Sequence, residues 1–528
     1  MELAMGLYDA PQIQQQPVLY LDPLKANIAV FGGPMTGKTT FIETYLVRIN
    51  EKKEFSDREN TYIIDFGGNL GDYSLLGSVC ACFDNSNEEN IKRIFKTLDR
   101  RLAENAEALG SSSYYSLYCK KPEACPTHLT LIIENLNAFL SDERYAAYQD
   151  RLMRLCRDGL SKGLTVIVTA NDVSGTGRLM ANFGQKIAFE MAADSYFDIF
   201  SSKISPPMRL PGRGLVNINS EIYEFQCFFP YVSDEESELQ DLIRESRKES
   251  DPEHMLAFDG DLTRENISIF CPDIQDYQMD GNVIAGLDYY EHKPVYVKIG
   301  ESRSIAIYGK RQFGKTNLLT LLLEQILSQN ETARVVLLDD GRHQLEKFRE
   351  LGRDTIFLNS VETFHDYLTE HGYGGRRSVR TVKSAVPPKP VSSDISPDTP
   401  FTVFVLQSKA LYQSSVDAVY LMGDWLPEMI GSAEDRGYLF IFSDVRNISS
   451  PEVRMPFNNA ISMAFLLDNI GEFINDKGSR SVFGEMDPKE LKAEYAKCSV
   501  GDGYAYDVEA DSLTKLKFIK AEEPKQNG

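Results

Sequence analysis

One stretch occurs twice, and it constrains the fold more than anything else in the chain. The first copy is Asn27-Ile-Ala-Val-Phe-Gly-Gly-Pro-Met-Thr-Gly-Lys-Thr-Thr40, and the second is Ser304-Ile-Ala-Ile-Tyr-Gly-Lys-Arg-Gln-Phe-Gly-Lys-Thr-Asn317. Each is a short β-branched run, then G-x-x-x-x-G-K-T, then an apolar-periodic helix (Phe41 to Val47; Leu318 to Ile326). Strand, glycine loop and helix are the context a phosphate-binding loop requires. Glycines let the backbone turn tightly, so that successive N–H groups and the helix N-terminus face phosphate oxygens. The candidate nucleotide cradles are Gly32, Gly33, Pro34, Met35, Thr36, Gly37, Lys38, Thr39 and Thr40, and Gly309, Lys310, Arg311, Gln312, Phe313, Gly314, Lys315, Thr316 and Asn317. Lys38 and Lys315 would reach the β- and γ-phosphates of ATP, and the hydroxyls of Thr39 and Thr316 would hold Mg²⁺. A glycine turn that only packs helix on strand is the competing reading, and it has more force for the second copy, where Lys310, Arg311 and Gln312 fill the loop.

At 528 residues the chain exceeds what one core holds, since single cores stop growing near ~250–300 residues. The repeat divides it into modules at 1–250 and 251–528. A net charge of −22 argues against wrapping a nucleic-acid backbone. The eight cysteines (Cys80, Cys82, Cys119, Cys125, Cys156, Cys227, Cys271, Cys498) form no C-x-x-C pair and no nearby His completes a metal set, so they read as reduced thiols of a cytosolic protein. No apolar run approaches the ~18 residues of a membrane span, and no signal peptide is expected.

Along the first module, Val18–Leu21, Thr61–Asn69, Leu129–Ile133, Leu164–Ala170 and Ala188–Met191 read as strands, with helices over Asn87–Ala106 and Tyr145–Leu160. Strands alternating with helices predict α/β modules with mostly parallel central sheets. Gly212–Ile218 with Glu221–Gln226 reads as a closing hairpin, and an acidic helix is expected within Ser233–Asp251. The plan then repeats. Gly286-Leu-Asp288 echoes Gly6-Leu-Tyr-Asp9, and Phe401–Leu406 stands where Leu129–Ile133 stood. Tyr438–Phe442 answers Leu164–Val168, and Gly501–Tyr506 with Leu516–Ile519 repeats the hairpin. From Lys38 to Asp65 is 27 residues, and from Lys315 to Asp339 it is 24. Gly372–Pro400, rich in Pro and Ser and carrying Arg376, Arg377, Arg380, Lys383 and Lys389, reads as a loop.

Hydrolysis needs an acid at the end of a neighbouring strand to support Mg²⁺, and a base or polar group to position water. In the first module that strand ends Ile133-Glu134-Asn135, so Glu134 is the candidate metal support. Asn135 stands in the general-base position, where an amide cannot take a proton. In the second module the strand ends Leu406-Gln407-Ser408, with no acid. Asp339 and Asp340 lie on another strand and read as turn residues. Weak or no intrinsic hydrolysis is expected.

The motifs Gly6-Leu-Tyr-Asp-Ala-Pro-Gln12, Gly32–Thr40, Asp65-Phe-Gly67, Arg157-Asp-Gly-Leu-Ser-Lys-Gly163, Pro211-Gly-Arg-Gly214 and Phe225-Gln226 together resemble the FtsK/SpoIIIE-type ATPases of type VII secretion (EssC/YukB, EccC-like). Gly286-Leu-Asp288, Gly309–Thr316 and Gly501-Asp-Gly503 carry the resemblance into the second module. It implies the second and third ATPase modules of such a protein, as tandem P-loop (RecA/FtsK-like) folds working at the cytoplasmic face of the cell membrane. It further implies a hexamer, contact with other parts of the membrane complex, and export of small helical (WXG-type) proteins. Arg157 could then act as an arginine finger toward a neighbouring subunit, although a surface or salt-bridging arginine is the favoured reading there. The competing classes are an FtsK-like DNA translocase segment, disfavoured by the acidic charge, and a small-molecule kinase, disfavoured by the tandem repeat.

Overall fold

The computed structural model describes residues 2–233, 235–247, 254–258, 260–279, 281–299, 301–309, 311–340, 345–349, 354–371, 401–408, 410–412, 426–445, 457, 459–467 and 498–521. Lys310, Asp251-Pro252 and the expected loop Gly372–Pro400 lie outside them. The chain forms two compact units, Met1–Ala257 and Phe258–Gly528.

The first unit is one ten-stranded sheet. Its strands are β1 (Leu3–Tyr8), β2 (Val18–Leu21), β3 (Ile28–Phe31), β4 (Glu59–Asp65), β5 (Val79–Phe83), β6 (His128–Glu134), β7 (Leu164–Ala170), β8 (Gln185–Ala188), β9 (Arg213–Ile218) and β10 (Glu221–Cys227), in the order β2-β1-β10-β9-β8-β3-β7-β6-β4-β5. From β8 to β5 every neighbour pair is parallel, and from β8 to β2 every pair is antiparallel. β4, β6 and β7 are buried along their whole length because helices cover both faces. On β6, Leu131 and Ile133 join Ile94, Phe95, Leu98 and Phe139 on one face, while Ile132 joins Phe41, Ile42, Tyr45 and Leu46 of the helix Lys38–Asn50 on the other.

The second unit repeats this plan strand for strand. Its strands are β11 (Asn282–Asp288), β12 (Pro294–Lys298), β13 (Ser304–Gly309), β14 (Arg334–Asp339), β15 (Asp354–Leu358), β16 (Thr402–Gln407), β17 (Tyr438–Val445), β18 (Met463–Leu467), β19 (Asp502–Asp507) and β20 (Ser512–Phe518). Their order, β12-β11-β20-β19-β18-β13-β17-β16-β14-β15, is the same permutation. Leu318, Leu319, Leu322 and Ile326 of the helix Lys315–Gln329 pack on Ile305, Val335, Val403 and Ile441. Ala464 and Leu466 face the opposite core, so the run Ala460–Leu467 is interior.

Two elements depart from expectation. The strand expected at Ala188–Met191 is Gln185–Ala188, because the chain beyond it turns to the glycine loop: Phe189 is buried and the Glu190 carbonyl accepts a hydrogen bond from Gly33 N at 2.8 Å. The stretch after the acidic helix Glu235–Ser246 stays with the first unit, where Met255 N donates to Cys80 O at 2.6 Å and its side chain is buried.

The glycines of the first module's motifs meet at this antiparallel flank. A Cβ on Gly6 would lie 2.2 Å from the Gln226 carbonyl oxygen, and one on Gly214 3.0 Å from the Ala188 carbonyl oxygen. Both obstacles are backbone, which cannot swing aside. The Gly6→Ala variant is therefore expected to destabilise the first unit by about 1–3 kcal/mol, the usual cost of overpacking, read as a lower denaturant midpoint for its unfolding transition.

Candidate functional site

The first glycine loop joins β3 to the helix Lys38–Asn50 at the C-terminal edge of the parallel strands. Met35 takes a left-handed conformation (φ 60°), and Gly37 has φ 109°. A Cβ on Gly37 would lie 2.8 Å from Gly212 N, and Gly212 N donates to the Thr36 carbonyl at 2.9 Å. The β9 entry thus clamps the loop from outside. Lys38 is 92% buried, since 8% of it is exposed, and its ammonium donates to the carbonyls of Gly32 (2.6 Å) and Gly33 (2.8 Å). Burial pulls the Lys38 ammonium below the ordinary lysine range, and nearby Glu134 opposes this. Thr39 and Thr40 follow, half-buried, in the first turn of the helix.

Glu134 ends β6 and is buried. Its Oε2 makes no hydrogen bond among the described residues. A Cβ on Gly67 would meet that oxygen at 2.4 Å, so Gly67 leaves the carboxylate its space. Burial, with the charge of Asp65 added to it, holds the Glu134 carboxyl above the ordinary glutamate range, and Lys38 pulls the other way. The Gly67 N–H and the Thr169 hydroxyl also act on this carboxylate and favour its charged form, and its open Oε2, beside a lysine and at the mouth of a glycine loop, fits a divalent cation held jointly with the Thr39 hydroxyl. Asp65 does different work: its carboxylate accepts from the N–H groups of Gly67 (3.1 Å), Gly68 (2.8 Å) and Leu70 (2.7 Å), shaping the turn after β4.

Asn135 is in the left-handed region (φ 63°, ψ 66°), which asparagine tolerates better than most residues. Its side-chain oxygen accepts from Ala138 N at 3.3 Å and so caps the helix Leu136–Ser141. Its own N–H donates to the hydroxyl of buried Thr169, at the end of β7, at 2.8 Å. Thr169 was not singled out from sequence; its only signal was a polar residue closing an apolar strand. Arg157 is exposed and bonds Asp158 (both contacts 2.8 Å), at the end of the helix Ala146–Asp158.

The second loop has the same backbone shape. Gln312 (φ 68°) and Gly314 (φ 98°) repeat Met35 and Gly37, and the Lys315 ammonium donates to the Gly309 carbonyl. Arg311, Gln312 and Thr316 are exposed, while Phe313 packs against the core. Asn317 corrects the sequence expectation. Its amide nitrogen donates to Ile519 O at 2.9 Å and its oxygen accepts from Ala521 N at 2.7 Å, so the side chain fastens the C-terminal strand instead of facing the loop. Strand register pairs Asp65 with Glu134 and Asp339 with Gln407, which equates Glu134 with Gln407. Asp339 accepts from Leu345 N at 2.9 Å, and Asp340 accepts from the Ser408 hydroxyl at 2.7 Å and Ala410 N at 3.0 Å, as turn residues do. Among the described residues no cluster of His, Cys, Asp or Glu is arranged to hold a metal, and no helix is long and apolar enough to cross a membrane.

Fold and loops together define a tandem pair of P-loop NTPase (RecA/FtsK-like) folds. No family model matches the chain. The ESX secretion system protein EccC of Geobacillus thermodenitrificans is 25% identical over 384 residues, which is 69% of this chain and 25% of that protein. The solved EssC (ATPases 2 and 3) from the same organism has a TM-score of 0.71 at 21% identity, covering 99% of this chain and 96% of that one. Thermomonospora curvata EccC (ATPases 2 and 3), solved with a signal sequence peptide, has a TM-score of 0.60 at 18% identity and covers 99% of this chain and 93% of its own. The chain is thus similar over nearly its whole length to modules two and three of type VII secretion ATPases, as the motifs implied, and it spans about a quarter of the length of the curated relatives it matches.

Because the Glu134 carboxyl is held above its ordinary range, its charged form costs stability at neutral pH, and that cost vanishes as pH falls below the carboxylate's unfolded value. Glu134→Gln is expected to unfold at higher temperature than the parent protein near pH 7 without ligand. The gap should close on acidification. Melting curves across pH check both the sign and the window.

Proposed function

We propose that the chain is the ATP-binding segment of a type VII secretion translocase, acting at the cytoplasmic face of the membrane within a hexamer. There it would regulate or power export of small helical (WXG-type) proteins and meet other parts of the membrane complex. The observation that carries the nucleotide reading is the first loop, where buried Lys38 and the unpartnered Glu134 oxygen converge. Mg²⁺–ATP would be held by the Gly32–Gly37 backbone, Lys38, Thr39 and Glu134, with the metal offsetting phosphate charge. The similarity to modules two and three over 99% of the chain supports the translocase reading.

The same geometry supports reading the first module as a poor hydrolase. Asn135 is an amide, and its side chain is already committed to the helix cap. Placing glutamate there would put a carboxylate on a left-handed backbone and remove the cap. ATP binding should be abolished in Lys38→Ala, and turnover by the parent protein should be very slow. In Asn135→Glu, turnover should stay slow while stability falls by about 0.5–2 kcal/mol, the range for losing an N-cap. Brisk turnover that disappears in Lys38→Ala would overturn this reading.

The second module keeps the loop, with Lys315 and Thr316, but has Gln407 where Glu134 stands. It reads as a binding unit in which ATP stabilises the fold, by about 2.7 kcal/mol at a hundredfold excess over Kd. Its proposed partner is the C-terminal tail of an exported helical protein, consistent with the peptide in the Thermomonospora curvata structure. Titrating the full chain with such a tail peptide is expected to saturate. Salt-sensitive duplex DNA binding without peptide binding would favour the DNA-translocase alternative.

A further inference from the structure

Beside the first glycine loop, on the side away from Glu134, two segments are fastened to each other and to the loop. Gly212 N donates to Thr36 O, and Cys227 N donates to Gly212 O at 2.8 Å. The Phe228 carbonyl and the Thr40 carbonyl both accept from the Thr44 hydroxyl, at 2.9 and 2.8 Å, which places the residues after β10 against the second turn of the helix. From this scaffold Met208, Leu210 and Phe229 stand out into solvent, at 61%, 51% and 77% exposure, as does Met35 in the loop, and Phe229 is the aromatic one among them. The carboxamide of half-buried Gln226 lies between Leu210 and Phe229 in the chain path, donating to Pro211 O at 3.3 Å.

The polarity of the loop fixes what such a place can receive. Lys38 and Glu134 mark the end where the terminal phosphate and its metal belong. In the sheet order, Glu134 on β6 lies on one side of β3, while β9 and β10 lie on the other. A nucleotide laid along the loop therefore directs its sugar and base toward the flank that carries Leu210 and Phe229. An aromatic face there offers stacking, which any base accepts and a purine uses over the larger area.

We propose that Phe229 forms the nucleobase subsite of the first module, selecting a purine nucleoside triphosphate by stacking. The proposal rests on the reading of the first loop as a nucleotide site. The second module supplies an internal contrast. Register pairs Gln226 with Arg213 and Lys517 with Asp502, and the Ile519 carbonyl is tied to Asn317 as the Phe228 carbonyl is tied to Thr44. Lys520 thus takes the place of Phe229, and its ammonium bonds Asp261 at 2.7 Å. The second loop accordingly holds the phosphates without a stacked base.

The test is equilibrium binding of MgATP, MgCTP and inorganic tripolyphosphate to the full chain carrying Lys315→Ala, so that only the first loop reports. Phe229→Ala is expected to weaken ATP by about tenfold, the lower part of the range for losing a stacked base, and CTP by less. Tripolyphosphate affinity should be unchanged, and Phe229→Tyr should restore ATP. Exposed Phe229 contributes little to the core, so the variant should keep its melting temperature. Unchanged ATP affinity in Phe229→Ala, together with loss of ATP in Lys38→Ala, would overturn the base subsite and leave the loop reading standing. It would mark Leu210 and Phe229 as a surface for another protein. ATP affinity indifferent to Lys38→Ala would overturn both.

Discussion

The contact between Gly212 and the Thr36–Gly37 turn determines how this protein is built. A P-loop needs only a strand before it and a helix after it. Here a four-stranded antiparallel extension is also fastened to the outside of the loop, through a backbone hydrogen bond at a point where Gly37 has no room for a side chain. That close approach needs glycine on both sides, since Gly37 and Gly212 both have positive φ. The extension must in turn reach the loop at the right height, which depends on β1 and β10 meeting where Gly6 faces the Gln226 carbonyl. Three motifs far apart in sequence are thus one packing unit. Arg213, bonded to Glu224 at 2.8 Å and paired with Asp9, ties the same unit on its outer face.

The second module has kept this frame and changed the chemistry inside it. The frame positions, Gly286 against the Lys517 carbonyl, Gly503 against the Leu466 carbonyl and Gly314 in the loop, preserve the backbone constraints. The positions that would act on a nucleotide have drifted. Gln407 replaces Glu134 and Ser408 replaces Asn135. Asp340 supplies a carboxylate from the next strand, but that carboxylate is taken up by Ser408 and Ala410. A backbone collision costs the fold stability, whereas a lost carboxylate would cost only the support of a metal. Fold and chemistry therefore diverge at different rates after a duplication.

The architecture was legible because it rests on period and length. β4, β6 and β7 are seven-residue strands with apolar centres, buried on both faces, and the two G-x-x-x-x-G-K-T loops fixed what followed them. β1 and β5 were not legible as strands. β1 is interrupted by Gly6 and a register shift, and β5 is a five-residue edge rich in cysteine and alanine. The site was legible as residue types and not as roles. Lys38 and Glu134 could be named, but that Asn135 is a helix cap on a left-handed backbone depends on Ala138 and Thr169, which converge only in three dimensions. Asn317 misled because the residue after the loop threonine reads as cradle from sequence, while its partner, the end of β20, lies some 200 residues away (|i−j| 202).

The state of Asn135 also separates two ways in which a P-loop module can lack a base. A lost base in an otherwise poised site leaves geometry that a single carboxylate could restore. Here the backbone itself is committed: the αL conformation, the cap on Leu136–Ser141 and the Thr169 hydrogen bond hold the residue in a role that starts the next helix. A glutamate would have to give up that cap before it could reach a water. The Glu134 carboxylate, by contrast, stays buried, at a standing cost, with one oxygen unpartnered. A group kept at such a cost, beside a base position given over to structure, is suited to holding a metal-bound nucleotide. On the proposed reading, the free energy of binding, and not of hydrolysis, is what the first module would pass to the rest of an assembly.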